Sequence, residues 1–105
     1  NRNSLPFDPN GPWYTSGLRI GTAAVTTLGM GTKEMEELGA IISLVLKGTK
    51  PTPDAKDPSK PSKAKYEVQA EVKEEALKRV ESLLSRFPVY PELDLNLLKE
   101  AFVNN

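Results

Sequence analysis

The sequence has 105 residues, which is enough for one domain with a modest hydrophobic core. Its 14 basic and 14 acidic side chains cancel, so no net charge favours a nucleic-acid or anionic-membrane partner. Because cysteine and histidine are absent, this chain has no disulfide, thiolate or imidazole chemistry, and no metal site is predicted. The longest apolar run, residues 41–46, is interrupted by Ser43 and is too short to cross a bilayer.

A connector rich in turn-forming residues occupies residues 6–12, which contain three prolines and the pair Asn10-Gly11. Fixed proline φ angles and the tolerance of Asn-Gly for positive φ predict a rigid loop. Trp13 and Tyr14 follow directly. They either cover the edge of the core or present an aromatic face to a ligand.

The alternation of Leu18, Arg19 and Ile20 predicts a short strand between glycines. On such a strand Leu18 and Ile20 would enter the core, and Arg19 would point the other way. A guanidinium held in this manner suits a planar carboxylate. The pattern also fits an ordinary solvated arginine in a weak surface ion pair.

Apolar residues three and four apart predict three amphipathic helices. They span residues 33–47, 66–87 and 95–103. Thr32 is the candidate N-cap of the first helix and Asp94 that of the third, and Pro88 ends the second. The third helix belongs to a tail over residues 92–105, and its last two residues are expected to fray.

Residues 49–63 differ in composition, with four prolines among Lys, Asp, Ser and Thr and no periodic apolar face. This composition predicts a mobile surface linker with extended stretches. A basic run at residues 60–65 could bind an acidic partner. Because Asp54 and Asp57 are interleaved with the lysines, solvation is the preferred interpretation.

The sequences of several stretches resemble the C-terminal part of serine hydroxymethyltransferase, and the bacterial type fits best. The stretches are NRNSLPFDP at residues 1–9, TSGLRIGT at 15–22 and TTLGM at 26–30, with a weaker return, SRFPVY, at 85–90. The spacing between Asn3 and Arg19 is also the family's.

The resemblance implies an enzyme of one-carbon metabolism that uses pyridoxal 5'-phosphate. Such enzymes transfer the hydroxymethyl group of serine reversibly to tetrahydrofolate, giving glycine and 5,10-methylenetetrahydrofolate. They are homodimers or tetramers, and the bacterial members are cytoplasmic, with no membrane association. The expected fold is α+β: residues 1–105 form the small two-layer domain of a fold-type I enzyme, with helices packed on one face of a short sheet.

The resemblance also implies roles for five residues. Arg19 holds the α-carboxylate of the substrate. Asn3 contacts the pteridine of tetrahydrofolate, and the loop residues Gly11, Pro12 and Trp13 line the folate site. From the residues alone, Asn3 could equally be an asparagine that forms a turn, and Trp13 could equally pack on the protein surface without binding a ligand.

The family's Schiff-base lysine, its phosphate ligands and its ring-stacking histidine would lie upstream in a large domain. Since the chain begins at Asn1 without methionine, we expect a C-terminal fragment with no catalytic residue that is inactive alone. Ala24 stands where the family usually has proline, and Leu28 stands where it commonly has arginine, so this chain lacks the positive charge of that arginine. Residues 49–63 and the tail look like additions specific to a lineage.

Two alternatives remain open. The chain is either the small domain of another fold-type I pyridoxal-phosphate enzyme, or a free-standing interaction module. A module would use the apolar face of the first helix between Met35 and Leu46, although such a stripe more simply forms core. The folate-loop resemblance argues against another enzyme of the same fold type.

Overall fold

A computed structural model describes residues 1–103 of the chain. The elements in order are β1 Arg2–Asn3, β2 Gly17–Leu18, α1 Ala23–Thr27, α2 Thr32–Lys47, β3 Thr49–Pro53, β4 Pro61–Val68, α3 Ala70–Ser85 and α4 Leu95–Val103. The expected fraying concerned Asn104 and Asn105, which lie outside the described residues. No helix within residues 1–103 has the length and apolar character needed to span a membrane.

The core lies between helices α2 and α3, whose apolar stripes face each other. Its buried members are Met30, Ile41, Ala76 and Leu83, with Val25, Met35, Leu44, Val45, Val80 and Phe87 packed around them. An ion pair between Arg86 Nη2 and Glu37 Oε2, at 2.7 Å, joins the end of α3 to α2. Both side chains remain partly exposed, so apolar packing, not this pair, holds the helices together.

Helix α2 confirms the predicted first helix almost to the residue, but its cap differs. The N-cap is Gly31 and not Thr32, and the Gly31 N–H donates to Glu34 Oε2 at 2.7 Å. This hydrogen bond lowers the pKa of Glu34. At the other end, Leu46 is largely exposed instead of lying on the buried face.

The predicted linker at residues 49–63 is wrong, because most of it forms a β-hairpin. Strands β3 and β4 pair antiparallel, with Thr49 opposite Val68 and Pro51 opposite Tyr66. In a two-stranded sheet each strand has a free edge, so a proline without an N–H need not break the pairing. The ladder is irregular between Pro51 and Pro53.

The hairpin also moves the start of the second helix. Helix α3 begins at Ala70 and not at Tyr66, because residues 66–68 belong to strand β4. The Gln69 N–H donates to the Gly48 carbonyl oxygen at 3.0 Å, which fastens the start of α3 to the end of α2. Thus the two helices of the core are joined by a closed hairpin.

Helix α4 confirms the predicted third helix and its cap. Asp94 Oδ1 accepts hydrogen bonds from the N–H groups of Asn96 and Leu97, at 2.9 and 3.1 Å. The apolar side chains of Leu97 and Phe102 are exposed. The α+β class is confirmed, although two separate two-stranded sheets replace the expected single sheet.

Candidate functional site

The register of the first sheet places Asn3 and Arg19 on the same face. Strand β1 pairs antiparallel with β2, and Asn3 lies opposite Gly17. Beyond the strand end, the Arg19 N–H donates to the Asn1 carbonyl at 2.7 Å, and the Asn1 amino group donates to the Arg19 carbonyl at 3.3 Å. Because side chains alternate along paired strands, Asn3 and Arg19 share one face, and Arg2 and Leu18 share the other.

Close approach of the two strands depends on Gly17, which is buried. A Cβ at this position would lie 2.6 Å from the Asn3 carbonyl oxygen and 2.9 Å from Leu5 Cδ2. Real Cβ atoms do not come so close to backbone oxygen. Glycine at residue 17 therefore permits the close strand spacing of the sheet whose one face carries Asn3 and Arg19.

The guanidinium of Arg19 is exposed, and no residue in the described part of the chain forms an ion pair or hydrogen bond with it. Its backbone is held by Asn1, so the side chain starts from a fixed point. A free guanidinium presents a planar set of donors that matches a carboxylate.

The predicted burial of Leu18 and Ile20 is wrong for this chain. Leu18 is 60% exposed and Ile20 57% exposed. The physical reason is that sheet β1–β2 has no second layer over this face among residues 1–103. Two large apolar side chains next to a free arginine therefore remain uncovered.

Asp8 organises the loop between the two strands, a role that the sequence analysis missed. Its Oδ2 accepts hydrogen bonds from the N–H groups of Leu5 and Ser16, at 3.2 and 2.7 Å. Its Oδ1 accepts from the Asn10 N–H at 2.9 Å and from Ser16 Oγ at 2.7 Å. The carboxylate thus ties both ends of residues 5–16 together.

The hydrogen bonds from the Ser16 and Asn10 backbones hold the pKa of Asp8 well below its usual range. Asp8 therefore stays ionised and keeps four acceptor interactions at any physiological pH. The sequence does contain one signal for this role, since Asp before Pro and Asn-Gly is typical of a side chain that closes its own turn. The bond to Ser16, eight residues on, requires the folded loop.

The loop places the predicted folate residues at the surface. Gly11 has φ +68°, in the left-handed region that the Asn-Gly pair predicted, and its N–H donates to the Asp8 carbonyl at 3.3 Å. Pro12 is exposed, and Trp13 is 74% exposed. Trp13 therefore does not cover the core of this chain, and its indole face is free.

Phe7 is a second feature that sequence reasoning did not find. Its φ of +58° lies in the left-handed region, which is uncommon for a bulky residue, and its side chain is fully exposed. The tight hydrogen bonds around Asp8 hold the adjacent backbone in place. No local sequence signal indicates this conformation.

The part of the chain that forms this site is similar in sequence to known proteins. A family model described as serine hydroxymethyltransferase matches residues 1–42, which include β1, the Asp8 loop, β2 and Arg19. A serine hydroxymethyltransferase of Treponema pallidum is 51% identical over 102 residues, or 97% of this chain. One from Chlamydia muridarum is 50% identical over 98 residues.

This chain is similar to one region of these serine hydroxymethyltransferases. A third relative, the serine hydroxymethyltransferase of Cutibacterium acnes, is 46% identical over 95 residues. The matched regions cover 93% and 90% of this chain for the Chlamydia and Cutibacterium proteins. However, the chain spans only 17–19% of the length of these serine hydroxymethyltransferases. No solved structure matches it.

Proposed function

We propose that this chain is the C-terminal small domain of a bacterial serine hydroxymethyltransferase and that Arg19 binds the α-carboxylate of serine or glycine. The whole enzyme would transfer the hydroxymethyl group of serine to tetrahydrofolate, reversibly. The observation that carries the proposal is the free guanidinium of Arg19 on a strand pair whose close spacing Gly17 permits.

Arg19 would act by positioning. Two parallel N–H donors on a carboxylate fix both the place and the rotation of the amino acid, which a single ammonium could not do. Orientation of this kind sets which bond at the α-carbon is aligned for cleavage. Pyridoxal phosphate, held mainly by residues outside this chain, supplies the electron sink for that cleavage when bound.

The folate would lie against the Asp8 loop. Asn3 offers one acceptor and two donors to the edge of a pteridine. Trp13 offers an exposed aromatic face, and Gly11 and Pro12 shape the loop before it. The Asp8 hydrogen bonds support this assignment, because they hold the loop in one conformation before a ligand arrives.

The exposed Leu18 and Ile20 support the view that more protein covers this sheet. The chain also covers only a small share of the length of its relatives. Both observations fit a small domain that packs on a large one. In the whole protein we expect a cytoplasmic homodimer or tetramer.

Conversion of Arg19 to lysine in the full-length enzyme tests the proposal. Lysine keeps the charge but loses one of two charge-assisted hydrogen bonds, worth about 1.5–3 kcal/mol, so the KM for serine should rise about tenfold or more. Arg2→Lys is the matched control, because Arg2 lies on the opposite face of the same sheet and its KM should change less than about twofold.

If Arg19→Lys leaves the KM for serine unchanged, Arg19 does not hold the carboxylate. A second outcome would favour another pyridoxal-phosphate enzyme of the same fold type. In that outcome Arg19→Lys weakens the binding of an amino-acid substrate, but turnover of serine does not require tetrahydrofolate.

A further inference from the structure

A cleft of about 510 Å³ lies between the Asp8 loop and the β3–β4 hairpin, which are distant in sequence. The polar and aromatic side chains lining it are Asn10, Tyr14 and Thr15 from the loop and Lys60, Ser62 and Lys63 from the hairpin. None of the described residues that line it is acidic. A concave surface with two ammonium groups and several neutral donors is complementary to an oxyanion.

The two lysines are available to a ligand. Lys63 Nζ lies 5.6 Å from the centre of the Tyr14 ring, so its ammonium reaches across to the loop, and it has no carboxylate partner within residues 1–103. Lys60 Nζ lies 3.2 Å from Asp57 Oδ2, but the two side chains are 75% and 45% exposed. Such a pair is weak in water and can share the ammonium with an incoming anion.

The hydroxyl groups add unused donors. Thr15 Oγ1 is shielded from solvent and has no hydrogen-bond partner among the described residues. Ser62 Oγ accepts from the N–H groups of Ala64 and Lys65, at 3.2 and 3.0 Å, which leaves its own O–H free to donate. An acceptor bound in the cleft would pair with the Ser62 O–H, which the protein itself leaves free.

We propose that this cleft binds the oxyanion of a small ligand, a carboxylate or a phosphate, through Lys60 and Lys63. The anion has two possible sources. It is either free phosphate or the glutamate carboxylates of a folate whose ring lies on residues 11–13, between the cleft residues Asn10 and Tyr14. The second source rests on the proposed function, and the first does not.

Calorimetric titration of the full-length protein with two probes, inorganic phosphate and a tri-γ-glutamate peptide, tests the proposal. We expect at least one probe to bind, and the double variant Lys60→Gln, Lys63→Gln to weaken it about tenfold. Lys56→Gln is the matched control, because Lys56 lies at the turn of the same hairpin but does not line the cleft. Its affinity should change less than about twofold.

The probe that binds identifies the source: phosphate alone indicates a free ion, and the peptide alone indicates the substrate's acidic end. The variant Lys60→Arg, Lys63→Arg keeps both charges and should keep binding, which separates loss of charge from loss of fold. The proposal is overturned if neither probe binds, or if the Gln variant binds like the parent. Absence of folate-dependent turnover with intact binding would instead contradict only the proposed function.

Discussion

Gly17→Ala is the substitution that most sharply tests how this chain positions Arg19. The new methyl group would lie 2.6 Å from the Asn3 carbonyl oxygen, about 0.8 Å closer than the shortest ordinary contact. Leu5 Cδ2, at 2.9 Å, is part of a flexible side chain and can move away. The Asn3 oxygen belongs to the paired backbone, so relief requires the two strands to separate.

Overpacking of this kind costs about 1–3 kcal/mol of folding free energy. Separation of β1 from β2 by several tenths of an ångström would also move Arg19 relative to Asn3 and to the rest of the site. Since a displacement of about 1 Å can reduce a rate about 100-fold, we expect kcat/KM for serine to fall about tenfold or more. Steady-state kinetics and urea unfolding of the full-length enzyme measure the two effects.

Gly21→Ala is the matched control, because a Cβ at residue 21 meets no atom within 4 Å in this structure. It should leave stability and kcat/KM nearly unchanged. The reasoning is refuted if Gly17→Ala behaves like Gly21→Ala in both measurements, because the strands would then not depend on the absence of a side chain at residue 17.

Two further predictions concern the loop and the core helix. Asp8→Asn should lower the free energy of unfolding measured in urea. Because folding lowers the pKa of Asp8, this loss of stability should be complete above about pH 5. It should shrink as the pH falls below 3.8, the ordinary pKa of the group, toward the lower pKa of the folded state. A deficit that does not change with pH would contradict the ionised hub. Gly39→Ala, in the open interior of α2, should raise the free energy of unfolding by about 0.5–1 kcal/mol, whereas Gly48→Ala should lower it, because its Cβ would lie 2.6 Å from Val72 Cγ1. Equal effects from the two glycines would contradict the packing described for α2.

The parts of the fold that depend on local sequence were predictable. Helix α2 follows from apolar residues three and four apart, and the Asp94 cap of α4 follows from a side chain that reaches only two and three residues ahead. The positive φ of Gly11 follows from an Asn-Gly pair. Each of these features is decided within one turn of chain.

Features that depend on distant partners were missed. The β3–β4 hairpin pairs Thr49 with Val68 across 19 positions, and its prolines concealed it because they are typical of linkers. Leu18 and Ile20 alternate as core residues do, but nothing within residues 1–103 covers them.

The candidate site was predictable only in part, because some of its features depend on local sequence and others on distant partners. The alternation around Arg19 predicted an arginine held by backbone pairing, and the family resemblance named Asn3. The sequence did not show that Asn3 and Arg19 share a face, because this depends on the register that places Asn3 opposite Gly17. The role of Asp8 as the hub of the loop required Ser16 to fold back onto it.

The most direct test of the account removes the carboxylate from the ligand as well as the guanidinium from the protein. Dissociation constants of serine and of 2-aminoethanol, which is serine without its carboxylate, should be measured for the full-length enzyme and for Arg19→Ala. The parent enzyme should prefer serine about 100-fold, the worth of two charge-assisted hydrogen bonds of about 1.5 kcal/mol each, and Arg19→Ala should lose nearly all of this preference. An undiminished preference for serine in Arg19→Ala would show that another group binds the carboxylate and would contradict the account.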